Sequence, residues 1–410
     1  MESTFRIEPA RLDDVPEVIA DLVAELAAAT AKLESALAPQ TAQNLAAMVR
    51  IMNTYYSNLI EGNVTRPRDI ETALVSGPIS ASDMPQTAQI EAALAQGGRQ
   101  NDLLIEAVAH VRVQAKIDEM AAGSLLPEPA SEAFIKWLHK EFYLGASASM
   151  LEISGNGRAF QMEPGVWRKV AEQDVAVGRH QPPASERVSD FMAYFSKRYQ
   201  FSPMGKAARI LSIPTAHHRF NYIHPFPDGN GRVSRLMSHA MAHSAGIGAH
   251  GLWSISRGLA RGLTSRNDYK RMMEFADSPR QGDLDGRGNL SQKALIEFTR
   301  WFLQVCLDQV HFMTGLFQID TMATRFNRCV AEAGIKTEGA MLLDEAFVRG
   351  QFERGDATRI TGLPERSARR ILTELSESGL LGSETPKGPV QLRFPMKYQD
   401  LLFPRLFAET

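Results

Sequence analysis

Residues His224 to Arg235 read HPFPDGNGRVSR, and the rest of the chain can be interpreted outward from this stretch. Pro225, Pro227 and Gly229 prevent a regular helix through Asp228. Gly229, Asn230 and Gly231 supply backbone N–H groups free to curl into a concave nest. A helix starts there and continues from Val233 to Ser244. Free N–H groups and the positive end of the macrodipole make such a helix start an anion site. Arg232 and Arg235 are three residues apart and share a helical face. Two guanidinium groups beside the nest imply more than one phosphate, because their planar fork matches phosphate oxygens. Asp228 at the mouth is a hard oxygen ligand suited to Mg2+ on a polyphosphate. His224 can take a proton from an attacking hydroxyl at neutral pH. A lone DGNG is ordinarily a turn, and a lone histidine beside a proline is ordinarily structural; the ordered combination is what carries chemistry.

The surrounding chain is that of an ordinary globular protein. It has 410 residues, 44% hydrophobic and 22% charged, enough for two or three domains with a sizeable core. The net charge of -2, from 45 basic and 47 acidic side chains, asks for neither nucleic acid nor a membrane surface. Cys306 and Cys329 form no CxxC pair, which argues against a structural zinc site or a disulfide framework. The acidic, polar start MESTFRIEPARLDD has no apolar h-region, and no stretch is apolar enough to cross a bilayer. A cytoplasmic location is the expectation.

Helical periodicity dominates. Val15, Ile19, Leu22, Val23, Leu26, Leu33 and Leu37 mark a first helix that ends before Pro39, and a second runs from Thr41 to Leu59 with Gly62 as its stop. Gly77 to Gln86 is turn-rich. Further helices are expected over Ile90 to Ala122, Ser131 to Tyr143, Ser185 to Tyr199 and Lys206 to Tyr222. Between Ala159 and Pro183 the pattern changes: Trp167, Val170, Val175 and Val177, bracketed by Pro164-Gly165 and Gly178, predict a short β-hairpin. Near the C-terminus, helices over Leu342 to Gly350, Ala357 to Thr361 and Glu365 to Ser378 precede two short strands at Leu380 to Ser383 and Val390 to Phe394. Helix, turn, helix and hairpin is the layout of a winged helix.

The motif resembles the Fic family signature HxFx(D/E)GNGRxxR at every defined position, and the likeness extends over roughly Ser131 to Leu303. The resemblance implies a mainly α fold: a Fic-type helical core with a small β-hairpin flap, joined to the C-terminal winged-helix domain. The expected division is 1–110 for an N-terminal helical region, 111–310 for the catalytic core, 311–338 for a connecting helix and 339–410 for the winged helix. It implies a protein adenylyltransferase that moves AMP from ATP to a Ser, Thr or Tyr hydroxyl of a target protein or of itself. His224 is then the general base and Asp228 the Mg2+ ligand. Gly229, Asn230 and Gly231 cradle the α- and β-phosphates, Arg232 binds phosphate, and Arg235 takes the γ-phosphate. Phe226 sets the loop. The hairpin aligns the target by strand addition, with Val175, Ala176, Val177 and Gly178 as its nucleotide-facing strand. Tyr269, in NDYKRMM, is similar to a family tyrosine near the adenine.

Ser57 to Asn63 reads SNLIEGN, which alone is a helix end. Beside a Fic core it resembles the family's inhibitory motif (S/T)xxxE(G/N), which implies that Glu61 bridges Arg235, occupies the γ-phosphate position and shares a helical face with Ser57. A carboxylate there also suits a water attacking in the reverse reaction, removal of AMP. Other signals fall away. DLDGRGNLS at Asp283 to Ser291 places Arg287 and Ala294 where a calcium loop needs oxygen ligands. Asn63-Val64-Thr65 and Asn289-Leu290-Ser291 match the glycosylation sequon but follow no leader. His217, His218 and His224 lack the HExxH pattern of a metal hydrolase. The candidate recognition helix carries Arg366, Arg369 and Arg370, but Ala340 to Pro395 holds eight basic and eight acidic residues, so the basic excess of a DNA reader is missing. Homodimerisation or target docking, and DNA binding, are the two uses open to that module.

Overall fold

The computed structural model describes residues 3–12, 14–75, 99–155 and 158–407. The chain divides into two compact units. The first comprises the chain up to Ala28, Asn53–Gly248 and Ser254–Gln309; the second comprises Ala29–Met52, Ala249–Trp253 and the chain from Val310 onward. Among the described residues no helix is long and apolar enough to cross a membrane.

Helices α1 (Glu17–Ser35), α2 (Pro39–Ile60) and α3 (Pro67–Val75) come first. Ile19, Val23, Leu26 and Leu33 form the buried stripe of α1, as the periodicity requires, while Val15 lies outside the helix and is exposed. Helix α2 ends just before Gly62, whose φ of +79° suits a residue without Cβ. Then follow α4 (Arg99–Ala122), α5 (Glu132–Phe142), α6 (Ala148–Leu151), β1 (Glu152–Gly155), β2 (Arg158–Gln161), α7 (Val188–Arg198), α8 (Lys206–Ile223) and α9 (Asn230–Ser244). The expected helix from Ile90 is described from Arg99 onward, and the expected turn at Gly77 to Gln86 lies outside the described residues.

Helices α8 and α9 are the centre of the first unit. Ile210, Ile213, Ala216, Phe220 and Ile223 of α8 pack against Val233, Leu236, Met237, Ala240 and Met241 of α9, all essentially inaccessible. Both helices are buried nearly all round, so they also bury polar side chains, and these are paired. His217 Nδ1 lies 2.9 Å from Ser238 Oγ, and the Arg219 guanidinium donates twice to the Pro9 carbonyl. Helices α4 and α5 pack on the flank of α9. Later come α10 (Ile255–Arg261), α11 (Asp268–Ala276) and α12 (Gln292–Leu316), the last carrying Phe298, Trp301 and Phe302.

The second unit contains α13 (Ile319–Glu332), α14 (Gly339–Arg349), α15 (Ala357–Thr361) and α16 (Glu365–Glu377) with strands β3 (Gln351–Phe352), β4 (Leu381–Gly382) and β5 (Val390–Leu392). The antiparallel sheet has the order β3-β5-β4, so a strand after α14 adds to the expected hairpin. Gly362 ends α15 at φ +67° and turns the chain into α16. Ala368, Ile371, Leu372 and Leu375 face the interior. Arg369 and Arg370 are exposed and paired within the helix, to Glu365 at 2.5 Å and to Glu374 at 3.5 Å.

The location of the hairpin is a correction to the sequence reading. The four-pair ladder is β1–β2, with Glu152 opposite Gln161 and Gly155 opposite Arg158. Strand β2 ends at Gln161, and from there to Pro183 the described residues form no further strand. Ala171–Gln173 forms a 3-10 turn, and a single pair, Val177 with His180, closes by reciprocal N–H to carbonyl bonds of 3.0 Å. The reason is local: the Arg168 N–H donates to the Pro225 carbonyl rather than to a neighbouring strand, and Pro182 and Pro183 cannot donate at all. The expected unit 1–110 also differs from the observed grouping, in which Ala29–Met52 clusters with the C-terminal unit.

Candidate active site

The site lies where α8 stops and α9 starts. His224 is the C-cap of α8 in the left-handed region, with φ 51° and ψ 60°, a conformation rare for a residue with a Cβ. Gly229 is the N-cap of α9 at φ +79°. A Cβ there would lie 2.8 Å from the Tyr143 hydroxyl, so both the conformation and the space call for glycine. Between them the loop is braced from inside. Asn230 Oδ1 accepts from the Phe226 N–H at 2.9 Å, and its Nδ2 donates to the Phe226 carbonyl at 2.8 Å. The Phe226 ring is fully buried, stacked on His139 at 3.7 Å and tilted against Trp167 at 4.6 Å. The Asn230 side chain is therefore a loop clamp, and its own backbone N–H remains at the start of α9. Asn230→Ala would leave the Phe226 N–H and carbonyl buried without partners. At about 1–3 kcal/mol for each unpaired group, the expected loss is about 3 kcal/mol of stability. A thermal melt is expected to fall by about 5–10 °C; an unchanged melting temperature would contradict the clamp.

His139 of α5 and Tyr143, its C-cap, hold the loop's far side. The Gly165 N–H donates to His139 Nδ1 at 2.8 Å, so His139 carries its proton on Nε2, which donates to the Asp228 carbonyl at 3.2 Å. Burial pushes the pKa of His139 down to about 4 and keeps it neutral. The Tyr143 hydroxyl donates to Asp228 Oδ2 at 3.1 Å. The Asp228 side chain is 48% exposed, so the carboxylate is steered but still faces solvent.

Arg168 has the same effect on the near side. Its guanidinium is buried and donates to the carbonyls of His224 at 2.7 Å, Ile223 at 3.0 Å and Pro183 at 2.5 Å, and to Ser185 Oγ at 2.9 Å. It also pairs with Asp174 at 3.4 Å. His180 Nε2 lies 2.7 Å from the Tyr222 carbonyl, which places the Val177–His180 turn beside the end of α8. Burial, and next the positive charge of Arg168, lower the His224 pKa to about 4, so the imidazole is neutral at pH 7.

The two arginines of α9 face two carboxylates. Arg232 is 2.5 Å from Glu106 of α4, 4.0 Å from Asp228, and lies over the Phe142 ring at 5.3 Å. Burial opposes its charge, but Tyr143, Glu106, Asp228 and Glu61 outweigh it and hold its pKa above the ordinary value. Arg235 donates from Nε to Ser57 Oγ at 2.9 Å, and from one terminal nitrogen to the Ser57 carbonyl at 3.2 Å and to Glu61 Oε1 at 2.6 Å. Burial works to raise the Glu61 pKa; Arg235 and Arg232 overcome it, and the carboxylate is held below its usual range. A Cβ on Gly231 would lie 2.4 Å from Glu61 Oε1, so the Glu61 carboxylate sits directly against the first turn of α9. The Tyr269 hydroxyl is 2.8 Å from His217 Nε2, and its ring stacks on Trp301 at 6.3 Å.

The structure thus brings together His224, Asp228, Gly229, Asn230, Gly231, Arg232, Arg235, Ser57 and Glu61. Ala176, Val177 and Gly178 are exposed and Val175 is half-buried in the turn closed by the Val177–His180 pair. Arg168, Glu106, His139 and Tyr143 are absent from the sequence reading, and no local pattern marks them. Residues 129–242 match the Fic/DOC family. The chain carries a Fic domain.

The Fic domain is 34% identical over 91 residues to the Protein adenylyltransferase Fic of Nematostella vectensis, covering 22% of this chain and 21% of that protein. Against the protein of the same name from Aedes aegypti it is 34% identical over 96 residues, covering 22% and 17%. The chain therefore spans about a fifth of the length of the curated relatives it matches. A crystal structure of a Fic family protein from Desulfovibrio desulfuricans G20 superposes with a TM-score of 0.52 at 17% identity, covering 93% of this chain and 98% of that one. That likeness is one of fold.

Proposed function

We propose that the chain is a protein adenylyltransferase, moving AMP from ATP to a side-chain hydroxyl of a target protein or of itself, and that Glu61 restrains it. The observation that supports this most is the convergence of a neutral histidine, a solvent-facing carboxylate and two arginines on one glycine-capped helix start. Asn230, Gly231 and Arg232 offer N–H groups that no earlier turn of α9 can satisfy, the first helical bond being Val233 to the Gly229 carbonyl, so they suit the α- and β-phosphates. Arg232 and Arg235 neutralise the remaining phosphate charge.

His224 takes the proton from the attacking hydroxyl. The oxygen attacks the α-phosphorus in line, the bond from that phosphorus to the bridging oxygen breaks, and pyrophosphate leaves with the electron pair. The proton stays on the imidazole until it passes to solvent. Asp228 fits a hard divalent cation, since one of its oxygens accepts from Tyr143 while the group still faces water; Mg2+ held there would neutralise polyphosphate charge. In this reading the turn at Val175 to Gly178, anchored by His180, is the flap over the nucleotide, and Tyr269 lies near the adenine. The helix–turn–helix with its sheet is a winged helix used for docking or dimerisation, its exposed Arg369 and Arg370 already matched by glutamates.

A second reading shares the site. Glu61 is held ionised beside Arg235, which suits a base for water in hydrolytic removal of AMP. The test gives the Glu61→Gly variant, in which the restraint is lifted, ATP labelled at the α- or the γ-phosphate. Label from the α position on protein, with none from the γ position, is the expected result. Transfer of the γ label, or of neither, would sink the proposal.

A further inference from the structure

His239 and His243 lie one turn apart on α9, downstream of the phosphate-facing residues, and their rings share a face. Asp118 reaches them from α4. Asp118 Oδ1 is 2.7 Å from His239 Nε2 and 3.1 Å from His243 Nε2, and the two ring nitrogens are 3.2 Å apart. Three ligand atoms from two helices thus converge on one point.

Hydrogen bonding alone does not settle this triangle. A neutral imidazole has one donor and one acceptor nitrogen. If both Nε2 atoms carry protons, two N–H groups crowd the same gap. If one is bare, its lone pair faces a carboxylate lone pair. A single cation in the middle removes the conflict, because all three atoms then present lone pairs to it. The dimensions also suit one. Tetrahedral zinc with bonds of about 2.0–2.1 Å places its ligand atoms about 3.3–3.4 Å apart, so the two edges at His243, 3.1 and 3.2 Å, open by about 0.1–0.3 Å and the 2.7 Å edge between Asp118 and His239 by about 0.6–0.7 Å.

We infer that Asp118, His239 and His243 form a binding site for one zinc-class divalent cation that ties α4 to α9. Two imidazoles and one carboxylate suit Zn2+, Co2+, Ni2+ or Cu2+, whereas Mg2+ and Ca2+ take sets of oxygens. The site is therefore chemically separate from Asp228. His243 also lines a cavity of about 480 Å³ with Ser244, Arg209, Glu128 and Phe201, which gives an ion its entry path and leaves a fourth coordination position for water or another small ligand. Space for the ring depends on Gly248, where a Cβ would lie 2.3 Å from His243 Nδ1. The two helices joined are those that carry Arg232 and its partner Glu106, so the ion braces the frame of the nucleotide site without entering it. The site stands independently of the adenylyl-transfer reading.

The test is a Co2+ titration of the metal-free full chain, followed by visible absorption. The expected result is the intense d–d band of a tetrahedral site, saturating at about one ion per chain, displaced by Zn2+ and not by excess Mg2+. His239→Gln with His243→Gln should weaken binding by about 100-fold or more. Gly248→Ala, which replaces no ligand but presses on the His243 ring, should weaken it by about tenfold through the ring position alone. His224→Ala should leave the band unchanged. Absence of the band in the wild-type chain overturns the inference whatever the variants do, and so does a band that survives in the double variant.

Discussion

Glu61→Gly is expected to raise incorporation of AMP into protein by about 10- to 100-fold. In the proposed restraint, Glu61 Oε1 competes with an outside anion for the Arg235 terminal nitrogen, from which it is 2.6 Å away. A hydrogen bond to a charged group contributes about 1.5–3 kcal/mol, and each 1.36 kcal/mol is a factor of ten, which sets the range. The fold is expected to survive, because Arg235 keeps the hydroxyl and carbonyl of Ser57 as acceptors. The substitution also removes the carboxylate that abuts Gly231, clearing the first turn of α9. Labelled ATP with wild type and variant side by side gives the answer. Equal low rates would mean that Glu61 is a structural partner of Arg235 and no brake. A modified Glu61→Gly protein that wild type then strips of AMP would favour the hydrolytic reading.

His224→Ala, placed in the Glu61→Gly background so that the signal is measurable, is expected to cut transfer by about 10²- to 10⁴-fold, the usual contribution of a general base. Binding of ATP should hardly change, since the proposed mechanism uses the imidazole on the incoming hydroxyl and not on the phosphates. The pH profile separates this role from a merely structural one. His224 has its pKa lowered to about 4, and in the proposed mechanism its neutral form is the base. The rate should therefore be flat from about pH 5 upward and fall as pH drops through about 4. A rise centred near the ordinary histidine value of about 6.5 would contradict this assignment.

The candidate loop was legible because its groups are contiguous: histidine, carboxylate, nest and both arginines sit on one helix–loop–helix junction. Glu61 was legible only through resemblance, since a glutamate at a helix end has no chemical meaning until Arg235 is opposite it. Arg168, Glu106, His139 and Tyr143 act through approaches that span the sequence. Arg168 meets the His224 carbonyl 56 residues away, and Tyr143 meets Asp228 85 residues away. No spacing rule points to such pairs. The hairpin was misplaced for a different reason. Alternation of Val175 and Val177 outweighed a stronger sign, the Asn156-Gly157 dipeptide that favours two-residue hairpin turns and stands between Gly155 and Arg158, which pair. The asparagine of the GNG triplet shows a finer limit. Its backbone N–H was the group read from the motif, and nothing in the sequence marked its side chain, both polar atoms of which are engaged by Phe226.

Arg168 bears on how such loops can be transplanted or lost. It grips three carbonyls around the motif, and its own N–H meets the Pro225 carbonyl. The working unit is therefore discontinuous. A graft of His224 to Arg235 onto another helical pair would carry every reactive group without the buried cation that fixes the backbone beneath the base. Conversely, a relative with the full motif but an apolar residue at this position would be a candidate for a silent enzyme, and inspection of the motif alone would not reveal it.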